Sequence, residues 1–279
     1  MKNIAFFGTP AFTTDFLDVL VANDMAPTLV VTNLDRPVGR GMTITAPAPK
    51  LWAQDHSIAF IQPEKITPEV LAELSKTTWD LFVVVAYGKI LPQELINMPK
   101  HGTINVHYSL LPKYRGATPV ESALLNGDET TGVSVQQMRY KLDSGPIIKE
   151  ELLAINPTDT TLTLRHKLNT VALELLPGVI TTLFDGTATP VEQDETLATQ
   201  CGKIQKSDGE ISLTDDPILN DRKYRAHVGN VGTYFYTEKD GKRIRVKVTK
   251  ARLEDDAFVI DEVIPENGKR QNYQQFLAK

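Results

Sequence analysis

A doubly wound α/β sheet followed by a smaller β unit is the fold that three observations predict. Residues 2–7, 28–32 and 80–87 are short apolar runs without alternation, the pattern of parallel strands buried on both faces. Helical segments separate them, and such strand–helix alternation builds a largely parallel sheet. From about residue 204 the character changes to short strands around turn signals such as Lys239-Asp240-Gly241.

Taken in order, the run ending at Gly8 predicts the first strand. Residues 11–21 follow as a helix with Phe12, Phe16 and Leu20 on one stripe. Thr67-Pro68-Glu69 opens another helix with a capping hydroxyl, a proline at the first helical position and an early acid. Thr118-Pro119-Val120-Glu121 predicts a capping box for a helix over 119–126, which Gly127 stops. Two strands, 132–138 and 147–153, flank a turn over 141–145. The longest periodic helix, 160–183, carries Leu164, Leu168, Val171, Leu175, Val179 and Leu183 on one stripe and a kink at Pro177. The polar stretch after Asp185-Gly186-Thr187 reads as a linker. The expected organisation is therefore a domain over 1–186, a linker over 187–203 and a small β domain over 204–279.

With 279 residues and 41% hydrophobic content the chain can build two cores. Its single cysteine, Cys201, excludes an intramolecular disulfide and a cysteine-rich zinc site, and fits a reducing compartment. The apolar start is too short for a signal segment or a membrane span. A soluble, cytoplasmic protein is expected, with no membrane partner. Net charge is -5, which argues against broad, sequence-blind nucleic-acid binding. Residues 201–279 hold 15 Lys+Arg against 13 Asp+Glu, however, so the remainder carries 15 against 22 and the C-terminal part is the less acidic one. In Lys242-Arg243-Ile244-Arg245-Val246-Lys247-Val248 the alternation puts Arg243, Arg245 and Lys247 on one face of a strand. A solvated face explains that pattern as readily as a phosphate-binding one.

Chemistry concentrates between residues 103 and 145. Asn105 and His107 lie two apart in a strand-like run, so both side chains leave the same face. If the turn over 141–145 brings Asp143 over that strand end, an amide donor, a proton carrier and an orienting carboxylate share one pocket. Singly, each has an ordinary structural explanation: a turn cap, a satisfied core histidine, an aspartate before glycine.

Together, Asn105-x-His107-x-Ser109-Leu110-Leu111-Pro112, Arg115-Gly116-Ala117-x-Pro119 and Asp143 resemble the signature of the folate-dependent formyltransferases. Asp35-Arg36-Pro37-Val38-Gly39-Arg40-Gly41 with Pro47-Ala48-Pro49-Lys50 resembles the loop that methionyl-tRNA formyltransferases carry after their second strand. Gln62-Pro63-Glu64-Lys65, Gln137-Met138, Lys203-Ile204-x-Lys206-x-Asp208-Gly209-x-Ile211 and Val263-Ile264-Pro265-x-x-Gly268-Lys269 are similar to the same family, so the resemblance spans nearly the whole chain. It implies a Rossmann-like formyltransferase domain and a β-barrel-like (OB-type) C-terminal domain that helps hold tRNA, here shortened. Two further departures are Tyr108, where the family tends to have a small residue, and Met42 in place of a basic one.

The resemblance also implies the reaction: formyl transfer from 10-formyltetrahydrofolate to the amino group of methionyl initiator tRNA for translation initiation. Asn105, His107 and Asp143 would be catalytic. The tetrahydrofolate would be held by Ser109, Leu110, Leu111 and Pro112 together with Val85, Ala86, Tyr87, Gly88, Ile90 and Leu91. RNA contacts would fall to Arg36, Arg40 and Lys50, and to Arg243, Arg245 and Lys247. The carbon unit arrives activated, so no metal is demanded, and a monomer is expected. The competing readings are a sugar-nucleotide amine N-formyltransferase on the same fold, which the 35–50 loop and the basic strand oppose, and a non-catalytic folate- or RNA-binding relative.

Overall fold

The computed structural model describes residues 2–39, 41–239 and 241–278. Its elements in chain order are β1 (Ile4–Gly8), α1 (Thr13–Ala22), β2 (Leu29–Val31), β3 (Arg36–Val38), β4 (Thr43–Thr45), α2 (Ala48–Asp55), β5 (Ala59–Ile61), α3 (Pro68–Leu74), β6 (Leu81–Val85), α4 (Gln93–Ile96), β7 (Thr103–His107), β8 (Arg115–Gly116) and α5 (Pro119–Asn126). They continue with β9 (Thr130–Gln137), β10 (Ile147–Ala154), α6 (Thr161–Phe184), β11 (Gln200–Cys201), α7 (Pro217–His227), β12 (Thr233–Lys239), β13 (Lys242–Glu254), β14 (Ala257–Pro265), β15 (Gln271–Asn272) and α8 (Tyr273–Leu277). By contacts the chain divides into two units. Residues up to 115, 132–151 and 168–199 form one unit, and 116–131, 152–167 and 200–279 the other.

The first unit is built on a seven-stranded sheet in the order β10-β9-β7-β6-β1-β2-β5. β5, β2, β1, β6 and β7 run parallel, and β9 is antiparallel to β7. β1 and β6 are buried at every position, which is why their sequences read as unbroken apolar runs. The chain winds from β1 outward through β2 to β5, then returns to β6 on the other side. The sheet therefore reverses direction between β1 and β6, and ligands of open α/β sheets bind outside the carboxyl ends at such a point. Phe82 of β6 is fully buried, with the rings of Phe7 and Trp79 at 5.2 and 5.5 Å.

The second unit contains a four-stranded antiparallel sheet, β12-β13-β14-β15, over a core that includes Phe235, Val246, Val248, Ile260, Val263 and Phe276. Its strand order is linear, and Glu210 adds one parallel bridge at Tyr234 on the β12 edge. A turn at Asp255-Asp256 leads from β13 into β14.

Three local expectations change. Thr118 starts α5 and Gly127 ends it in the left-handed conformation (φ 69°), yet no capping box forms. The Thr118 hydroxyl donates instead to the Gly202 carbonyl at 2.7 Å, and Glu121 accepts from Arg165 at 2.6 Å, a charge-assisted bond stronger than a cap. On α6 the expected stripe is buried at Leu164, Leu168, Val179 and Leu183, whereas Val171 and Leu175 are only half-buried and Ala172, Leu176 and Ile180 are buried in addition. Positions 172, 176 and 180 each adjoin an expected position at about 100° round the helix, so the buried face is wider than the single expected stripe. The stretch over 36–50, expected to be a long loop, contains the β3–β4 ladder and the start of α2.

Candidate active site

β7 lies between β6 and β9, with Asn105 opposite Gln136 and His107 opposite Ser134. Directly opposed residues of an antiparallel pair share a face, so Asn105, His107, Ser134 and Gln136 form one polar patch in a buried part of the sheet. The turn after β9 brings Asp143 onto that patch. Asn105 Nδ2 donates to Asp143 Oδ1 at 3.4 Å, Gln136 Nε2 donates to the same oxygen at 3.0 Å, and His107 Nδ1 stands 3.7 Å from Asp143 Oδ2. His107 is only 5% exposed. Its Nε2 lies 2.9 Å from the Tyr114 carbonyl, which can only accept, so Nε2 carries the proton and Nδ1 faces the carboxylate. The three expected catalytic residues are thus brought together on one sheet face.

Tyr108, the bulky departure after His107, is also accounted for. Its hydroxyl donates to Asn169 Oδ1 at 2.8 Å, Asn169 Nδ2 donates to Asp15 at 3.0 Å, and its ring packs 6.2 Å from Phe12. The side chain ties the end of β7 to α6 and α1.

The expected folate segments are built mainly into the protein. Ser109 Oγ donates to the Lys113 carbonyl at 2.6 Å, and Ser134 Oγ bridges Leu111 N (3.0 Å) and the Ser109 carbonyl (2.7 Å). Leu111 is buried and Leu110 half-buried. Tyr87 and Leu91 belong to the core; burial pushes the Tyr87 hydroxyl up to about 12. Val85 is buried, whereas Ala86 is exposed with φ 48° and Ile90 is 82% exposed. The surface this segment offers is therefore Ala86, Gly88 and Ile90, a narrower set than expected. A cleft of about 660 Å³ is lined by Gln93, Asn97, residues 137–141 and Pro146. A smaller one of about 210 Å³ is lined by Thr9, Asn33, Leu34, Arg36 and residues 45–47. Asn105, His107 and Asp143 line neither.

Of the expected RNA contacts, Arg40 lies outside the described residues. Arg36 is exposed on β3. Lys50 is committed to Asp35 at 2.7 Å, and with Gln62 it holds the Asp35 carboxyl below its ordinary range. Arg243, Arg245 and Lys247 are exposed on β13 and face away from the core. Arg243 and Arg245 lie over the rings of Tyr236 and Tyr234, at 4.2 and 5.3 Å.

Sequence reasoning missed Gln136 and Gln193. The signal for Gln136 was present: Val133 and Val135 alternate with Ser134 and Gln136 in a strand where all four are buried. Gln193, Arg115 and Glu195 form a further cluster. Arg115, 3% exposed, reaches Glu195 at 2.9 Å, and Lys141 meets the same carboxylate at 2.6 Å. Arg115 first and Lys141 second hold Glu195 down to about 2. A depressed folded value means this support is complete above the ordinary 4.5 and disappears as pH falls from there towards 2. Glu195→Gln is expected to lower thermal stability modestly above pH 4.5, where the support is complete, and to converge on the parent towards pH 2, so that its stability falls less over that acid interval; an unaltered acid limb would dismiss the linkage.

Residues 2–180 match the family model described as Formyl transferase. Among curated relatives, the methionyl-tRNA formyltransferase of Nitrosomonas eutropha is 40% identical over 80% of this chain and 71% of that one. The methionyl-tRNA formyltransferase of Staphylococcus epidermidis is 34% identical over 100% of this chain and 96% of that one. The chain belongs to the methionyl-tRNA formyltransferases. In fold it is similar to the methionyl-tRNA formyltransferase of Clostridium thermocellum (TM-score 0.63, 16% identity, 95% and 99% covered). It is similar also to the N-formyltransferase of Helicobacter canadensis, solved with folinic acid and dTDP-3-aminofucose (TM-score 0.67, 18% identity, 93% and 95% covered).

Proposed function

We propose that the protein transfers the formyl group of 10-formyltetrahydrofolate to the amino group of methionyl initiator tRNA, in the cytoplasm and as a monomer. The observation that carries the reading, beside family membership, is the meeting of Asn105, His107 and Asp143 within 3.4 and 3.7 Å. The amine nitrogen bonds to the formyl carbon, and the carbonyl oxygen becomes an oxyanion. Asn105 spends one N–H on Asp143 and directs the other at that oxyanion. His107 Nδ1 takes the proton that the amine loses. The same proton passes to the folate nitrogen as its bond to the formyl carbon breaks, so the folate leaves neutral. Asp143 orients the imidazole and balances its charge in between.

Ala86, Gly88 and Ile90, with residues 109–112, would border the donor. No helix among the described residues is long and apolar enough to cross a membrane. The test is transfer of label from 10-formyltetrahydrofolate to charged initiator tRNA, free methionine and amino-sugar nucleotides. Labelling of the charged tRNA is expected; preferential labelling of a sugar nucleotide would overturn the reading.

Residues 36–50 and the β13 face would meet the RNA, dividing recognition between residues 1–186 and 204–279. Neutralising Arg243, Arg245 and Lys247 together is expected to reduce the slope of log affinity against log salt by about 0.9 for each phosphate they had neutralised. Transfer at saturating tRNA should stay near the parental rate. An unchanged slope would make this face solvated surface and leave RNA recognition to residues 36–50.

A further inference from the structure

We infer that Gln193 is a positioning residue for Asp143, holding the backbone of the carboxylate's loop in place for the transfer. The inference rests on the reading of Asp143 given above. Gln193 is 9% exposed, and its amide is fully engaged. Nε2 donates to the Asp143 carbonyl at 2.9 Å and to the Gly145 carbonyl at 2.7 Å. Oε1 accepts from Arg115 Nε at 3.0 Å and Nη2 at 2.7 Å. Two carbonyls can only accept and a guanidinium can only donate, so the amide has one possible orientation.

The loop it holds needs a tie. Asp143 has a positive φ of 45°, a conformation that L residues keep only where the surroundings impose it. Gly145 is pressed against the end of β9: a Cβ there would lie 1.7 Å from the Gln137 carbonyl oxygen. Gln136 fixes the same turn from within the sheet, accepting from Gly145 N at 3.1 Å while donating to the Asp143 carboxylate. Residues 191–195 then lie along the turn in the opposite direction. Val191 and Ile147 exchange both backbone bonds at 2.8 Å, Glu192 pairs with Arg139 at 2.5 Å, and Glu195 pairs with Lys141. Gln193 is the member of this strip that reaches Asp143 itself.

The consequence for chemistry follows from distance. Asp143 meets Asn105 at 3.4 Å and His107 at 3.7 Å, both at the outer limit of useful contact. A shift of several tenths of an ångström in the loop uncouples both. Gln193 touches neither substrate nor reacting atoms; it acts through Asp143.

The test is a double-mutant cycle on formyl transfer from 10-formyltetrahydrofolate to charged initiator tRNA. Gln193→Ala is expected to lower kcat at least tenfold with KM for both substrates within twofold. In an Asp143→Ala background it is expected to lower kcat by less than twofold further, because the group it serves is gone. Gln193→Glu keeps length and the Arg115 contact but replaces two donors by an oxygen facing two carbonyl oxygens, so it should lose as much as Gln193→Ala and guards against an alanine variant that fails to fold. Full kcat in Gln193→Glu, or an equal loss of kcat in the presence and absence of Asp143, would overturn the inference while leaving Asp143 catalytic. Parental turnover in Asp143→Ala alone would instead remove the reading of the site, and the inference with it.

Discussion

His107→Ala is expected to lower single-turnover formyl transfer roughly 10²–10⁴-fold, the range that a positioned proton carrier contributes. Asp143→Ala should fall in the same range, since His107 Nδ1 has this carboxylate beside it and its Nε2 is already given to the Tyr114 carbonyl. Asn105→Ala is expected to lose roughly 10²–10³-fold, the effect of one oxyanion donor. Groups that act as a unit are not additive, so the His107→Ala/Asp143→Ala double variant should be little slower than the slower single variant. Equilibrium binding of a tetrahydrofolate analogue should persist in all four. Folate affinity that falls in parallel with turnover would show that the pocket had collapsed, and the three residues would lose their catalytic assignment.

Phe82→Ala should produce the largest loss of stability. The side chain is fully buried in the middle of the sheet, between β1 and β7, and its ring contacts Phe7 and Trp79. Truncation leaves a cavity in a cluster that also holds Val31, Leu91 and Leu95. A loss of about 3–5 kcal/mol is expected, read from the urea midpoint of the transition that reports β6. Specific activity per folded molecule at low temperature should be nearly retained, because Phe82 lies at the amino-terminal end of β6, away from His107. A loss below about 1 kcal/mol would mean that the site can refill from its neighbours.

The fold was legible where burial is two-sided. β1, β2 and β6 read as apolar runs because both faces of each strand are covered, and α5 could be bounded by Pro119 and Gly127 because proline and left-handed glycine mark helix ends chemically. Side-chain competition was not legible. Thr118 and Glu121 have the spacing of a capping box, but partners distant in sequence take both groups. Tyr87 looked like part of a ligand-facing loop and is turned into the core, since an aromatic next to a strand end can serve either side. Asn105 and His107 could be placed on one face by strand periodicity alone, whereas Asp143 could be added only on condition that its turn folds back over the strand end, there being no local rule for where a turn 38 residues later will land. Residues 187–203 read as a linker because a polar strip bonded to the protein and a polar strip bonded to water have the same composition. Gln193 and Glu195 depart from solvated linker residues in bonding to Arg115.

The strip over 191–195 also sets when the site is finished. Gln193 follows Asp143 by 50 residues and Arg115 by 78. A chain emerging at about 5–20 residues per second exposes β7 and the Asp143 turn seconds before the outer tie exists. Until then the turn is held from the sheet side, through Gln136 and Asn105, with the left-handed backbone of its aspartate still waiting for Gln193. A fragment ending at residue 186 would stay permanently in that condition, with Asn105, His107 and Asp143 all present and the loop that carries Asp143 tied on one side only. Competence is thus acquired late, and shortening the chain from its C-terminal end would remove it well before the sheet itself is touched.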